Sequence, residues 1–475
     1  MDNTTSPQAI FWFRQDLRLK DNPGLNAATQ AGMVLPIYID ETPEAGQEAM
    51  GGASRVWVHH SLSSLNKSLG GNLSLYRGRA ETIIKKLCET YTIKQVFWNR
   101  CYEPWRKTRD THLKKQLTER SITATSFNGS LLWEPWTIRK PDDTPYRVFT
   151  PFYQKGCLNA PPPRIPVTAL KTITLFKDTR HSIELDALGF LPGHRWQEKI
   201  ITQWTISEAG AHKQLAYFMK NSLAHYKKGR DLPAKPWVSR LSPYLHFGEI
   251  SVHQVWYAAL AQGLMAEPFC RELGWREFSY HLLYSNPNLR TKNLQPKFDD
   301  FPWRDDPDDL AAWQQGLTGI PMVDAGMHEL WATGYMHNRV RMIVGSFLVK
   351  NLRLDWRHGE RWFWDCLVDA DLANNSASWQ WIAGCGADAA PYFRVFNPVT
   401  QAQKFDPDGV YIHTHLPELA NLAPPYLFAP WDAPPQILQA AGVMLGTTYP
   451  HPIIDLKKSR EEALAAFAEI KTAAP

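Results

Sequence analysis

The sequence has few cysteines, and their spacing argues against two common kinds of scaffold. The six cysteines lie at positions 88, 101, 157, 270, 366 and 385. They form neither a CxxC pair nor the spacing of a zinc site, so we expect neither a bound metal nor a disulfide framework. This scattered use of cysteine is typical of a reducing compartment, and we predict a cytoplasmic location.

Long apolar runs are also missing. No run approaches the roughly 20 apolar residues that cross a bilayer. The N-terminal sequence MDNTTSPQAIFWFRQDLRL has no basic start, and its apolar run ends at Arg14, which is unlike a signal peptide. We therefore expect no membrane partner.

The usual phosphate-binding loops are absent as well. The first apolar run is not followed by GxGxxG, and GxxxxGK[ST] occurs nowhere in the chain. Dinucleotide or nucleotide binding through such a loop is therefore disfavoured.

The composition is that of a globular protein. With 475 residues, 44% of them hydrophobic and 21% charged, the chain should form two or more domains. Its net charge of +5 suits a cytosolic enzyme or a nucleic-acid binder equally. Twenty tryptophans are an unusual number, and many stand beside Arg, Asn or Asp, where core packing alone is a weaker explanation.

The first 130 residues predict an α/β domain. Short apolar runs at 9–13, 33–39, 73–77 and 95–99 are typical of buried strands, and residues 82–91 have a helical pattern. This alternation predicts a doubly wound parallel sheet covered by helices. A ligand would bind at the carboxyl ends of the strands.

The remaining chain divides into two parts. Residues 131–205 include proline-rich pieces such as APPPRIP and predict a connector between domains. Residues 206–475 are helical in pattern, which predicts a large all-α domain. Within it, GIPMVDAGMHELWATG should form a helix with proline in its first turn and Gly334 at its end.

A second helix is predicted from about Met336 to Asn351. Its expected apolar face consists of Val340, Ile343, Val344, Phe347 and Leu348. Asn338 and Met342 lie four residues apart on another face, flanked by Arg339 and Arg341. The simplest interpretation of those arginines is a solvated surface.

The stretch DADLANNSASWQW combines carboxylates, amides and indoles. With a helical period, Asp371, Asn375 and Trp379 form one stripe that could face a ligand. Alternatively, Asp371 or Asn374 simply caps the start of a helix. The capping interpretation leaves Asn375 and Trp379 unexplained.

Several segments together resemble the DNA photolyase and cryptochrome family. They are FWFRQDLRLKDNPGL, RLSPYLHFGEIS, RELGWREFSYHLLYSNP, GIPMVDAGMHEL, YMHNRVRMIVGSFLVK, DADLANNSASWQW and DAAPYFRVFNP. They occur in the family's order over nearly the whole chain. The segment PWDAPPQILQAAGVMLGTTYPHPIID is similar to the bacterial cyclobutane-dimer photolyases nearest plant cryptochromes, a class III-like branch.

The resemblance implies a lyase that binds FAD in the helical domain and uses light to split cyclobutane pyrimidine dimers. Its partners would be damaged double- and single-stranded DNA, and we expect a monomer. The lesion would swing out of the helix into a pocket, as in other enzymes that act on bases.

The resemblance also implies the residues of the FAD site. Those matching its phosphate and ribityl contacts are Tyr226, Val238, Ser239, Arg240, Leu241 and Ser242; the family often has Thr where this chain has Val238. Arg341 and Asp369 match the pair beside the isoalloxazine. Asp371 matches a contact of the flavin chain, and Asn375 the neutral residue facing the central ring.

Further positions match the lesion cavity and the electron relay. Those lining the cavity and its rim are Glu272, Trp275, Asn338, Arg339, Met342, Trp381 and Gln401, and Arg230 matches a contact to the DNA backbone. Glu272 could hydrogen-bond a thymine carbonyl and help hold charge on the dimer. Trp379, Trp356 and Trp303 match a three-tryptophan relay, innermost first.

Two relatives with other activities are disfavoured. Photolyases for (6-4) lesions carry histidines where this chain has Asn338 and Met342. Plant-type cryptochromes, the alternative light-receptor function, carry Asp in place of Asn375 and typically Tyr in place of Trp381, and they tend to have long tails.

The sequence leaves the identity of the antenna pigment open. Folate-binding relatives carry an Asn-Glu pair where this chain has Trp105 and Arg106, so their mode of binding does not transfer. The branch favours a reduced folate, 5,10-methenyltetrahydrofolate, with a deazaflavin as the alternative. Glu103 is a weak candidate contact.

Overall fold

A computed structural model describes residues 6–41, 49–168, 172–191, 193–194, 196–388 and 393–472. The chain divides into two compact units. Unit 1 contains the residues up to Asn221 together with Ser239–Pro287, and unit 2 contains Ser222–Val238 with the residues from Asn288 onward. Residues 389–392 of the DAAPYFRVFNP motif lie outside the described ranges. The predicted domain boundaries near 130 and 205 stay predictions.

The elements are as follows in chain order. The strands are β1 (Ala9–Phe13), β2 (Val34–Asp40), β3 (Ser74–Arg77), β4 (Gln95–Asn99) and β5 (Thr123–Phe127). The helices are α1 (Pro23–Gln30), α2 (Gly52–Ser68), α3 (Ala80–Tyr91), α4 (Pro104–Thr118), α5 (Phe149–Pro151), α6 (Trp196–Thr202), α7 (Glu208–Asn221), α8 (Leu223–Gly229), α9 (Ser242–His246), α10 (Val252–Leu260), α11 (Glu267–Ser285), α12 (Pro307–Gln315), α13 (Pro321–Thr333), α14 (Asn338–Ser346), α15 (Trp356–Cys366), α16 (Leu372–Ala383), α17 (Pro398–Phe405), α18 (Val410–His415), α19 (Pro435–Ala441) and α20 (Leu456–Thr472). Two π-helical turns occur at Phe152–Gly156 and Phe347–Asn351.

Unit 1 is built on a parallel sheet with the order β3-β2-β1-β4-β5. Its central strand β1 is buried at every position, because helices cover both faces of a parallel sheet. The four predicted strands and the doubly wound parallel sheet are confirmed. The sequence analysis missed β5, whose residues TATSF lack an apolar run and are at most half-buried at the sheet edge.

Part of the predicted connector lies along the sheet. Residues 175 and 183 form isolated bridges with Val34 and Leu75. Between them, the buried carboxylate of Asp178 accepts hydrogen bonds from the hydroxyls of Tyr76 (2.8 Å) and Tyr91 (2.7 Å). These contacts attach the connector to β2 and β3 within unit 1.

In the described residues of unit 2, the regular secondary structure is helical, apart from isolated bridges. The predicted helix at 319–334 is confirmed as α13, with Pro321 in its first turn and Gly334 at its end. Gly334 has φ 67°, a conformation that glycine adopts without the steric cost of a Cβ. No helix in the described ranges combines the length and apolar character needed to cross a membrane.

The second predicted helix begins two residues later than expected. His337 is the N-cap of α14, and its Nδ1 atom accepts a hydrogen bond from the backbone N–H of Arg339. The helix therefore starts at Asn338. The five residues of the predicted apolar face are all buried. The last turn, Phe347–Asn351, is π-helical.

The π-helical turn buries an amine. Lys350 is 2% exposed, and its Nζ lies 3.5 Å from the centre of the Phe393 ring and 3.4 Å from the carbonyl oxygen of Arg394. Burial lowers the pKa of Lys350 to about 7. The Phe393 ring favours the charged form, but the loss of hydration outweighs it.

We expect Lys350→Met to raise the free energy of unfolding by about 1–4 kcal/mol near pH 7. Lys350 releases its proton above a pKa of about 7 in the folded chain but holds it to about 10.4 when unfolded. The unfolded state therefore binds more protons in this window, and wild-type stability should rise with pH across it. Denaturant unfolding at several pH values should show the gain from Lys350→Met shrinking toward pH 10.

The exposed Lys457 provides the matched control. Lys457→Met removes an equal charge without relieving any burial, so it should leave stability within about 0.5 kcal/mol of wild type. Equal effects of the two substitutions would contradict this account of Lys350.

Candidate active site

The stretch singled out in the sequence forms α16 and the residues that precede it. Asp371 is the N-cap, and its Oδ1 accepts a hydrogen bond from the backbone N–H of Asn374 at 2.8 Å. The capping interpretation is thus confirmed for Asp371. Because Asn375 and Trp379 follow at intervals of four, the cap also sets where these two side chains lie.

The side chain of Asn375 is held by one residue of α15. Its Nδ2 donates to the backbone carbonyl of Glu360 at 2.9 Å and to Glu360 Oε1 at 3.1 Å. Ser376 Oγ donates to the same carboxylate oxygen at 3.2 Å. Both amide protons of Asn375 are therefore directed at Glu360, and its carbonyl oxygen is directed elsewhere.

Glu360 has a cationic partner as well. It is 1% exposed, and its Oε2 lies 3.2 Å from Nε of Arg290. The Arg290 guanidinium lies 4.7 Å from the ring centre of Trp364. A buried carboxylate is stable only when paired and hydrogen-bonded, and Glu360 has both kinds of partner.

The indole of Trp379 packs directly against Gly359, which has no side chain. It is 3% exposed and lies edge-on to Phe363 (4.9 Å) and Trp313 (6.2 Å between ring centres). A Cβ added at Gly359 would overlap the indole of Trp379. The close approach of α15 and α16 therefore requires glycine at this position.

Arg341 and Asp369 form the ion pair that the resemblance implies. Arg341 Nη2 lies 3.0 and 3.1 Å from the two oxygens of Asp369, and Arg341 Nε donates to the carbonyl of Met336 at 2.7 Å. Burial lowers the pKa of the Arg341 guanidinium, but Asp369, Tyr335 and Glu329 together outweigh it, so the pKa is raised. Arg341 is thus a fixed positive charge.

The two other relay candidates differ in exposure. Trp356 is completely buried, and its Nε1 donates to Asn293 Oδ1 at 2.9 Å. Trp303 is half-buried and contacts Phe301, with ring centres 4.4 Å apart.

The polar face of α14 is more structured than a solvated surface. Asn338 is exposed, and Met342 is half-buried against the core of unit 2. Arg339 pairs with Asp231 at 2.8 Å, and its guanidinium lies 4.4 Å from the ring centre of Phe405. With Arg341 paired to Asp369, neither arginine is simply solvated, and the simplest interpretation of them is wrong.

The other predicted residues of unit 2 lie on separate elements. Trp381 is half-buried, and its Nε1 donates to the carbonyl of Asp388 at 3.2 Å. Gln401 is half-buried on α17. Tyr226 is buried on α8, and the guanidinium of Arg230 lies 5.8 Å from its ring centre. Val238 is half-buried at the end of the segment Ser222–Val238.

Unit 1 contains the next four candidates at the start of α9. The carbonyl of Ser239 accepts a hydrogen bond from Gln214. Arg240 has φ 50°, an uncommon conformation for a residue with a Cβ, and its guanidinium lies 4.3 Å from the ring centre of Trp204. Leu241 is buried and Ser242 is exposed.

Glu272 and Trp275 also belong to unit 1, on α11. They are three residues apart and therefore share one face of the helix. Both are half-buried. Trp275 is stacked on Phe149, with ring centres 3.8 Å apart and an interplanar angle of 11°. The indole is thus held in one orientation.

A second polar site lies at the carboxyl ends of β1 and β4. Arg14 pairs with Asp110 at 2.8 Å and donates to the carbonyl of Asn99. Burial raises the pKa of Asp110, but Arg14 and Arg109 outweigh it and hold the pKa below its usual range. The strand order reverses between β1 and β4, which is where doubly wound sheets bind ligands.

Several buried polar atoms at this crevice have no partner among the described residues. They are Trp12 Nε1, Arg14 Nε, Glu103 Oε2 and Arg106 Nε. The guanidinium of Arg109 pairs with Glu41 and Asp110, and it lies 4.6 Å from the ring centre of Trp12 and 5.3 Å from that of Trp105. Orphaned buried polar atoms are rare in folded proteins, and they suit a bound polar ligand.

Three residues here were not found from the sequence. Glu360 and Arg290 are distant from Asn375 along the chain, and nothing in their local spacing marks them. Asp231 directly follows Arg230, and this adjacency could have drawn attention to it. Among the described residues, no group of three or more His, Cys, Asp or Glu side chains is arranged to hold a metal ion.

Comparison with known proteins gives consistent matches over the chain. Residues 9–169 match the family described as DNA photolyase, and residues 269–469 match the FAD binding domain of DNA photolyase. The deoxyribodipyrimidine photo-lyase of Agrobacterium fabrum is 47% identical, covering 99% of each chain. Cryptochrome-2 of Arabidopsis thaliana is 39% identical, covering 98% of this chain and 79% of its own length.

A solved structure extends the similarity to the fold. The crystal structure of a bacterial class III photolyase from Agrobacterium tumefaciens superposes with a TM-score of 0.94. It is 45% identical and covers 99% of both chains. The predicted combination of a parallel sheet with a helical FAD-binding region is confirmed.

The packing around Trp379 predicts opposite outcomes at two helical glycines. Gly359→Ala should lower the free energy of unfolding by about 1–2 kcal/mol, because overpacking exceeds the gain in helix propensity. Gly345→Ala should raise it by up to about 1 kcal/mol, since its Cβ would meet Ile382 and Trp379 at 3.4 and 3.5 Å. Denaturant unfolding of the two variants measures both effects. Equal stability would mean that Trp379 does not fill the space over Gly359.

Proposed function

The chain belongs to the DNA photolyase family, and from this premise we propose which of its residues carry the reaction. It is a deoxyribodipyrimidine photo-lyase, an FAD enzyme that uses light to repair cyclobutane pyrimidine dimers in DNA. FAD, when bound and reduced to its anion, would supply light-driven electron donation to the dimer. The protein supplies position, charge and exclusion of water.

Unit 2 would hold the flavin ring. Arg341, fixed by Asp369, offers a positive charge to the reduced anion. Asn375 offers a neutral acceptor, because Glu360 engages both of its amide protons. This orientation of the Asn375 amide is the observation that carries the proposal, since a free amide could turn either end toward a ligand. Asp371 would contact the flavin chain from the start of α16.

The phosphates and the ribityl chain would lie on two segments. In unit 2, Tyr226 and Val238 would contribute, Val238 without a side-chain hydrogen bond. In unit 1, Ser239, Arg240, Leu241 and Ser242 would contribute hydroxyls, backbone N–H groups and a cation. The unusual backbone of Arg240 supports this assignment, because strained residues collect at binding sites.

We assign the lesion contacts to each unit separately. Trp275, stacked on Phe149, would offer a fixed indole face, and Glu272 beside it would hydrogen-bond a thymine carbonyl. Unit 2 would contribute the remaining contacts, from Asn338, Met342, Trp381 and Gln401. Met342 suits an irregular apolar surface because its side chain is pliable.

Electrons would reach the flavin through Trp379, Trp356 and Trp303. The exposure of the three indoles supports this order, because the first two are at most 3% exposed and Trp303 is half-buried. An outermost relay member must be reachable by reductants, whereas the inner members should be shielded from water.

DNA binding would depend on Arg230 and Arg339, which neutralise backbone phosphates. We extend the substrate to damaged single strands as well as duplexes, and we propose that the protein acts as a cytoplasmic monomer. The proposed division remains an antenna domain at 1–130, a connector at 131–205 and a catalytic domain at 206–475.

Asn375→Asp tests the flavin assignment. Two like charges about 4 Å apart at an effective dielectric near 20 repel by roughly 4 kcal/mol, so the new carboxylate should oppose the reduced anion. We expect FAD content near wild type, incomplete reduction under light, and at least a tenfold loss of cyclobutane-dimer repair. The flavin spectrum and a repair assay on defined oligonucleotides measure these outcomes.

Ser376→Ala is the matched control, because it removes a donor to Glu360 without adding a charge. It should reduce fully and repair cyclobutane dimers near the wild-type rate. Full reduction and unchanged repair in Asn375→Asp would mean that Asn375 does not face the ring. Repair of (6-4) lesions instead of cyclobutane dimers would overturn the choice of substrate.

For the antenna pigment we propose a reduced folate in the crevice at the ends of β1 and β4. A pteridine ring carries N–H groups that suit the unpartnered oxygen of Glu103. Its flat face suits the indole of Trp105, and the acidic tail of a folate suits Arg106. A deazaflavin is the alternative occupant.

Trp105→Ala should release the pigment while FAD is retained. The exposed Trp136, which contacts Tyr102 and Tyr284 instead, provides the control variant. Mass spectrometry of pigment extracted from both variants and wild type decides the outcome. Loss of pigment from Trp136→Ala alone would place the antenna elsewhere, and a deazaflavin mass would overturn the folate.

A further inference from the structure

Arg339 is held by two neighbours within unit 2. The carboxylate of Asp231 lies 2.8 Å from its Nη2, and the Phe405 ring centre lies 4.4 Å from its guanidinium carbon. The Arg339 side chain is 16% exposed, and that of Asp231 is 35% exposed. The guanidinium is therefore fixed before any ligand arrives, but it remains within reach of solvent.

The ion pair has two opposite effects on DNA binding. Fixing Arg339 in advance lowers the entropy lost when it meets a phosphate. The negative charge of Asp231 also weakens the attraction of the same guanidinium for any phosphate nearby. The fixing of Arg339 strengthens binding only of DNA whose geometry brings a phosphate to this position. The charge of Asp231 weakens the binding of damaged and undamaged DNA equally.

We infer that Asp231 is a positioning residue that makes the enzyme discriminate between damaged and undamaged DNA. Undamaged duplex is bound mainly through general phosphate attraction, which Asp231 reduces. DNA with a flipped-out dimer is anchored by the lesion pocket, and it gains from a preset Arg339. This inference rests on the proposed function, because it requires Arg339 to contact the DNA backbone.

Asp231→Asn keeps the shape of the side chain and removes its charge. Affinity for undamaged duplex at low salt should rise about two- to tenfold, and the slope of log affinity against log salt should steepen by about one. Affinity for dimer-containing DNA should change by less than about twofold, because weaker positioning offsets stronger attraction. Discrimination should therefore fall about two- to tenfold.

Three further variants make the test specific. Glu462→Gln gives the same change in net charge at the ion pair with Arg353, and it should leave discrimination unchanged. Asp231→Glu should restore most of the discrimination. In an Arg339→Gln background, Asp231→Asn should no longer change discrimination, because the positioning effect requires Arg339.

The outcomes separate this inference from the proposed function. If Arg339→Gln alone leaves both affinities and both salt slopes unchanged, the DNA contact of Arg339 is wrong. If Arg339→Gln weakens binding but Asp231→Asn leaves discrimination and slope unchanged, the inference alone is overturned. An equal loss of affinity for both DNAs in Asp231→Asn, with a lowered melting temperature, would show a merely structural ion pair and would also overturn it.

Discussion

The burial of the Glu360 carboxylate is the constraint on which the arrangement of α15 and α16 depends. An ionised carboxyl loses several kcal/mol of hydration on burial, and it persists only with close partners. Arg290, Asn375 and Ser376 provide them. These partners fix how α16 is rotated against α15, and the same rotation places Trp379 over Gly359. One buried charge thereby sets both the Asn375 amide and the innermost candidate of the electron relay.

In unit 1, by contrast, some buried polar atoms at the crevice of the sheet have no hydrogen-bond partner among the described residues. Arg14, Asp110 and Asn99 satisfy one another in part. Glu103 Oε2 and Arg106 Nε have no partner among the described residues. Unpaired polar atoms destabilise a folded chain, and a ligand that pairs with them removes that cost. The reversal of strand order leaves room for one, since helices diverge to opposite faces of the sheet at this point.

Three arginines and one lysine illustrate how partners decide the role of a buried cation. Arg341 and Arg290 have carboxylate partners inside the helical unit and serve as fixed charges. Arg339 has its carboxylate partner nearer the surface, where a phosphate can compete for it. The amine of Lys350 lies beside a backbone carbonyl and an aromatic ring, so burial lowers its pKa instead. A carboxylate partner therefore keeps a buried arginine charged, whereas the buried lysine has a lowered pKa.

The sequence by itself determined the parallel sheet, the helical C-terminal part and the Asp371 cap, because alternating apolar runs and capping residues act through near neighbours in the chain. It also placed Val340 and Val344 on a buried face. It missed β5, whose polar edge residues carry no such pattern. Only the tertiary structure showed that Asn375 bonds to Glu360, that Arg339 pairs with Asp231, and that Arg14 pairs with Asp110 at the crevice of β1 and β4. Those contacts join residues far apart in the chain, so no local periodicity records them.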